Sequence, residues 1–139
     1  MGMWSMLAAP LIMSADLRAI RPEFQEILLN RNLIKLNQDR MGVQAKRIYS
    51  WRSMDVYSRP LSPDHSGRRS VAVAFLNKKT TGTLRVPFKL TELGLDGREG
   101  YRATEIFSGK DLGFFKPEDT FREDDKPTGI LLVNFLSQK

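Results

Sequence analysis

Few residues of this chain come in sets that could make or break a covalent bond. Paired carboxyl groups are the usual acid and base of such chemistry, and the adjacent acids here are Glu118-Asp119 and Glu123-Asp124-Asp125. They stand beside Lys116, Arg122 and Lys126 in turn-rich stretches, which is the pattern of solvated loop charge. Asp16 is the best single acid, since it follows the apolar run Leu11-Ile12-Met13, and catalytic faces lie at the C-terminal ends of barrel strands. A helix cap or a salt bridge to Arg18 explains Asp16 more simply. Ser14 has no base nearby and no G-x-S-x-G setting, so it lacks the context of a nucleophile. His65 is the single histidine and there is no cysteine, which leaves no zinc ligand set, and its neighbours Pro63, Asp64, Ser66 and Gly67 mark a turn. No glycine-rich phosphate loop is present. Asn37-Gln38-Asp39 offers amides and a carboxylate suited to satisfying backbone groups where two units meet. The residues therefore assign no catalytic group, no metal and no cofactor.

The elements that would position these residues change character along the chain. Over residues 1–9, Met3, Trp4, Leu7 and Ala8 recur at helical spacing, and Pro10 ends that helix. Leu11-Ile12-Met13 then reads as a parallel strand buried on both faces. Pro22 suits the first position of a second helix, with Glu23 and Glu26 near its positive end and Phe24, Ile27 and Leu28 as its apolar stripe. Asn30 to Asn32 interrupts it, and Leu33, Ile34 and Leu36 make one more buried turn before Gly42. Helix, strand, helix is the rhythm of an α/β barrel.

From Val43 the apolar residues alternate instead. Strands are predicted over 44–51, 55–61, 70–77, 83–89, 101–107, 114–120 and 128–135, separated by turn clusters, as in an antiparallel sandwich. In residues 70–77, Val71, Val73 and Phe75 face one way and Ala72, Ala74 and Leu76 the other, so this strand is predicted to be central. Pro60 and Pro87 cannot donate to a ladder and place their strands at an edge or a bulge. The alternation predicts that most of the core of residues 43–139 is internal to them.

Composition narrows the function classes. With 41% hydrophobic and 27% charged residues, the 139-residue chain is globular in character. Its net charge of +6 is scattered in short pairs, Lys46-Arg47, Arg68-Arg69 and Lys78-Lys79, next to turns, not gathered on a face with interleaved aromatics as a nucleic-acid binder requires. The apolar start, 3–13, lacks a basic flank, contains Pro10 and is too short to span a bilayer, so it is expected to be a buried helix end and strand and not a targeting signal.

Trp4, the run Ala8-Ala9-Pro10-Leu11-Ile12-Met13-Ser14, the triplet Asp16-Leu17-Arg18 and Leu36-Asn37-Gln38-Asp39 keep a definite order and spacing. That pattern resembles the last part of the catalytic barrel of glycoside hydrolase family 27, W-x-x-x-A-A-P-L-x-x-S-x-D-L-R followed by I-N-Q-D-P-L-G. Arg40 stands where the family usually has Pro, and Leu36 and Met41 are mild replacements. Further on, Val56-Tyr57-Ser58-Arg59-Pro60-Leu61-Ser62 resembles the family's V-x-x-R-P-L-S strand, and Val73-Ala74-Phe75-Leu76-Asn77 the strand after it. Phe107-Ser108-Gly109-Lys110 and Pro127-Thr128-Gly129-Ile130-Leu131-Leu132 are similar to later strand edges. The resemblance spans nearly the whole chain and is strongest over residues 1–61.

That family contains α-galactosidases and α-N-acetylgalactosaminidases, retaining hydrolases whose two catalytic aspartates both lie upstream of the part preserved here. The resemblance implies the end of a (β/α)8 barrel in residues 1–42 and a C-terminal antiparallel β-sandwich in residues 43–139. It implies the C-terminal part of an exo-glycosidase that removes terminal α-linked galactose or N-acetylgalactosamine from glycoconjugates, inactive alone. Ser14 and Asp16 would lie on the barrel's C-terminal face, at most behind the reacting groups, and Asn37, Gln38 and Asp39 at the junction of barrel and sandwich. The parent would be homodimeric and lysosomal or secreted, an address that the absence of cysteines and of Asn-x-Ser/Thr sequons does not itself support. The alternative is a sandwich module that binds carbohydrate or protein without catalysis, with Tyr49, Trp51, Tyr57 and Tyr101 as its aromatic surface.

Overall fold

The structure, a computed structural model, describes residues 1–16, 18–63, 67–83, 87–122 and 128–138. His65 and the acids Glu123, Asp124 and Asp125 lie outside the described residues. Among the described residues eight strands follow three short α-helices: α1 (Gly2–Met6), α2 (Pro22–Leu28) and α3 (Arg31–Asn37), then β1 (Lys46–Trp51), β2 (Met54–Leu61), β3 (Ser70–Asn77), β4 (Phe88–Lys89), β5 (Tyr101–Glu105), β6 (Asp111–Phe115), β7 (Thr120–Phe121) and β8 (Ile130–Ser137). Six of them form one antiparallel sheet in the order β1-β2-β3-β8-β5-β6, and β4 pairs with β7 in a small ribbon.

The alternation of β3 decides the layering. Val73 and Phe75 face a core closed by the ribbon, with Val56, Val133, Phe135, Phe88, Phe121 and the short 3₁₀ turn Leu90–Leu93. Phe121 stacks on Phe75 at 5.5 Å between ring centroids and meets Phe135 edge-on at the same distance, so the ribbon is held mainly by rings. Ala72 and Ala74 face the other way, and their small side chains admit α1 and α3 close to the sheet. Met6, Leu33, Leu36, Ile106 and Leu132 complete that second cluster. The sheet is therefore covered on both faces, and one of its two covers comes from residues 1–42. The core of residues 43–139 is internal on the ribbon side only.

Three local expectations differ from the structure. Leu11-Ile12-Met13 forms no strand, and Ile12 and Met13 are 73% and 51% exposed. A parallel strand needs neighbours to take its N–H and C=O groups, and the described residues offer none beside this run. For the same reason the α2 stripe is uncovered: Phe24 and Ile27 are 47% and 42% exposed and, with Met1, Ala15, Ile20 and Leu28, line an open apolar hollow. Pro60 lies on β2, an interior strand and not an edge. The β1–β2 register, which carries a bulge between Arg47 and Tyr49, stops at Lys46 opposite Ser58, so β1 never reaches the proline. Pro87 abuts β4, whose ribbon has only edge strands.

Candidate functional site

Among the described residues, those the sequence singles out do not gather into one catalytic centre. Asp16 lies on the exposed loop after α1, where Arg18 grips it from both sides: Nε donates to Oδ1 at 3.0 Å, Nη2 to Oδ2 at 3.1 Å, and the backbone N–H to Oδ1 at 3.0 Å. The guanidinium, and next the backbone N–H, hold the Asp16 carboxyl below the usual carboxylate range. An acid kept ionised in this way has no proton to donate near neutral pH. Ser14 is exposed on the same loop. Glu118 and Asp119 are exposed, and Asp119 accepts from the Lys116 backbone N–H at 2.7 Å, closing the turn between β6 and β7. Among the described residues no group of three or more His, Cys, Asp or Glu could hold a metal ion.

What does converge is a seam between residues 1–42 and the sheet. Asn37 donates its amide to the Ala9 carbonyl at 2.8 Å, and the Trp4 indole N–H donates to Pro10 at 3.1 Å, so helix α3 and the chain after α1 are tied together. Asp39 reaches the end of β2, accepting from the Ser62 N–H at 3.0 Å and from the Ser62 hydroxyl at 3.1 Å. Gln38 is exposed at the end of α3, with only its backbone in the helix ladder. Of the triplet, then, Asn37 and Asp39 bond in opposite directions and Gln38 joins neither. Sequence reasoning missed three further groups here. Asn30 caps α3 through the Asn32 and Leu33 N–H groups and also donates to the Phe107 carbonyl at 2.8 Å. Asn32 donates to the Ile106 carbonyl at 2.9 Å. Arg59, on β2, is fully buried and donates from Nη1 to the Ser5 carbonyl at 2.7 Å. The break signal at Asn30 to Asn32 was legible, but its partners lie more than seventy positions away, and nothing local announces them.

Among the described residues Asp55 is the one buried acid. It accepts from the Ser50 hydroxyl at 2.6 Å and pairs with the Lys78 ammonium at 3.0 Å. The Ser50 bond, more than the Lys78 charge, draws its carboxyl below the usual range against the opposing effect of burial. A depressed folded pKa stabilises the fold above the unfolded value and ceases to do so as pH falls through the folded one. Asp55→Asn is therefore expected to lower stability by about 1–3 kcal/mol at neutral pH, discounted because Lys78 is partly exposed. The gap should shrink below about pH 4. Urea unfolding of both proteins across pH checks this; a gap independent of pH would show that the charge of Asp55 is not what stabilises.

A family model described as the alpha galactosidase C-terminal beta sandwich domain matches residues 51–134, and one described as alpha galactosidase A matches residues 1–39. The chain belongs to the α-galactosidase family, glycoside hydrolase family 27. Within this family it is 36% identical over 133 residues to α-N-acetylgalactosaminidase of Gallus gallus, covering 95% of this chain and 32% of that protein. It is 31% identical over 137 residues to α-galactosidase A of Homo sapiens, covering 96% of this chain and 31% of that protein. The chain thus spans about a third of the length of the curated relatives it matches. The crystal structure of α-galactosidase I from Mortierella vinacea shares the fold at a TM-score of 0.86 and 22% identity, over 99% of this chain and 34% of that one. The expected family and the antiparallel sandwich are borne out.

Proposed function

We propose that the chain is the C-terminal part of a retaining exo-glycosidase that removes terminal α-linked galactose or N-acetylgalactosamine from glycoconjugates. In it, residues 1–42 supply the last elements of the catalytic barrel and residues 43–139 the sandwich that packs against them. The observation that carries this reading is the match of one chain, in order, to the α-galactosidase A model and then to the sandwich model. The apolar hollow beside α2 suits the same reading, because a barrel end would cover its stripe. Ser14 and Asp16 then lie on the barrel's C-terminal face without touching substrate, and Asn37, Gln38 and Asp39 sit at the junction of the two units. The parent enzyme acts as a homodimer in a lysosomal or secreted setting, as family resemblance suggests. No helix among the described residues is long and apolar enough to cross a membrane.

This chain alone is expected to hydrolyse no α-galactoside and no α-N-acetylgalactosaminide. A retaining mechanism needs two carboxyl groups about 5 Å apart, one as nucleophile and one as acid/base. Here Asp16 is committed to Arg18, Asp55 to Lys78, Asp111 to Arg102 and Asp39 to Ser62. Chromogenic substrates of both sugars, offered to the pure chain alone and mixed with the upstream barrel portion of a family enzyme, test the proposal. Activity should appear only in the mixture. Turnover by the chain alone that disappears with Asp16→Asn would overturn it.

The binding-module alternative rests on one residue. Tyr49 packs edge-on to Phe88 at 5.1 Å, Tyr57 lies against the second core cluster, and Tyr101 is 7% exposed. Trp51 alone is open, 54% exposed beside the Arg52 guanidinium at 4.3 Å from its ring. On a sugar array, signal that Trp51→Ala removes would favour that reading over the enzymatic one.

A further inference from the structure

Arg59 is the largest fully buried side chain among the described residues, and it lies between β2 and α1. One of its nitrogens, Nη1, holds the Ser5 carbonyl at 2.7 Å. Nε and Nη2 have no hydrogen-bond partner among the described residues, and neither does the buried hydroxyl of Ser5, the residue whose carbonyl Nη1 holds. Three idle polar atoms of two contacting residues are a local cluster, whereas buried polar groups in folded proteins are nearly always satisfied. A buried cation that lacks a partner is costlier still. The acid that Arg59 feels is Asp39, but the two make no direct ion pair, since Asp39 is engaged with Ser62 and Met41. Burial pushes the guanidinium's pKa down, and the attraction of Asp39 opposes that.

We propose that Arg59 Nε and Nη2, together with the Ser5 hydroxyl, hold a buried water molecule that makes Arg59 a two-armed clasp between α1 and the sheet. The chemistry balances. The water oxygen accepts from the two parallel N–H groups on one side of the guanidinium. One of its hydrogens goes to Ser5 Oγ, and the other is left to point toward Asp39. Two to four polar partners are what an internal water needs, and a charge pair too far apart for contact is commonly joined in this way. One arm of the clasp is then direct, through Nη1 to the Ser5 carbonyl, and the other runs through the water to the Ser5 side chain.

Ser5→Ala in the full chain tests the second arm without touching the first, because the Ser5 carbonyl remains. Without a water the substitution removes an unsatisfied buried hydroxyl and improves helix propensity, so the melting temperature would rise or stay level. With the water it removes the acceptor of one of the water's hydrogens and opens the second arm, so the melting temperature is expected to fall. The fall should vanish when Ser5→Ala is made in an Arg59→Met background, which keeps the volume but has no donors to hold the water. A crystal structure of the unaltered chain, with bromide-soaked crystals alongside, covers the case in which Arg59→Met does not fold. The expected result is one peak within hydrogen-bond distance of Arg59 and Ser5 Oγ, without anomalous signal. A melting temperature of Ser5→Ala at or above the parent's overturns the proposal. So does an absent peak, a direct Arg59–Asp39 pair or a bromide in the site.

Discussion

Val73→Asp is expected to abolish the cooperative unfolding transition. Val73 is fully buried on β3, opposite Ser58 of β2 and Val133 of β8, and faces the core beneath the β4–β7 ribbon. Phe75, Val56 and Phe135 belong to that core, and none of them can hydrogen-bond a carboxylate. An unpaired charge placed there costs several kcal/mol, a large share of the roughly 5–15 kcal/mol that holds a domain folded. Arg69→Asp, just before β3, serves as the control and should stay within about 0.5 kcal/mol. Circular dichroism melts of the two variants give the answer. A Val73→Asp protein that melts like its parent would mean that β3 is not the centre of this sheet.

Removing residues 1–42 should be nearly as damaging, although the sandwich pattern begins only after them. The outer face of the sheet is covered by Met6 and Leu33, both fully buried, and by Leu36 at 4% exposure. At roughly 1.5–3 kcal/mol for each large apolar side chain buried, these three contribute about 5–9 kcal/mol, comparable to the whole stability of an ordinary domain. Their loss would also bare Leu132 and Ile106 as a contiguous apolar patch, which promotes association. A shortened chain of residues 43–139 is therefore expected to scatter light and to lose its sharp melt, where the full chain keeps one. A monodisperse shortened chain with an unchanged melt would show that the helical cover is dispensable.

These two cases mark what could be read from the residues. Strand β3 was legible to the residue, because V-A-V-A-F-L has an apolar residue at every position and the pattern has one reading in a two-sided sheet. Pro22 at the first position of α2 was legible for a similarly local reason. The predicted strand over 114–120 dissolves into the end of β6 and the start of β7, because Asp119 closes a turn in between that its apolar neighbours conceal. Gly113, at φ 100, breaks the regular alternation of β6 by adopting a backbone few other residues tolerate. The buried strand expected at Leu11-Ile12-Met13 fails differently. Its apolar character is real, but a ladder is made by neighbours, and periodicity says nothing about whether they are present. The seam was legible only in its polar residue types. Arg59 read as one letter of a strand motif, and its burial depends on α1, more than fifty positions earlier in the chain.

Strand β8 sits between β3 and β5, in the middle of the sheet, although it follows all seven of the other described strands in the chain. While a ribosome is still making the preceding residues, β1-β2-β3 can zip together as consecutive neighbours, but β5 and β6 have nothing to join them to that half. The nascent protein therefore waits with two half-sheets and an unpaired flank on β3, the kind of bare strand edge that invites wrong partners. A premature stop codon before Ile130 would not trim an edge from this molecule. It would remove the strand that unites the two halves, and the quality-control machinery of the cell would meet two fragments of a sheet in place of one domain.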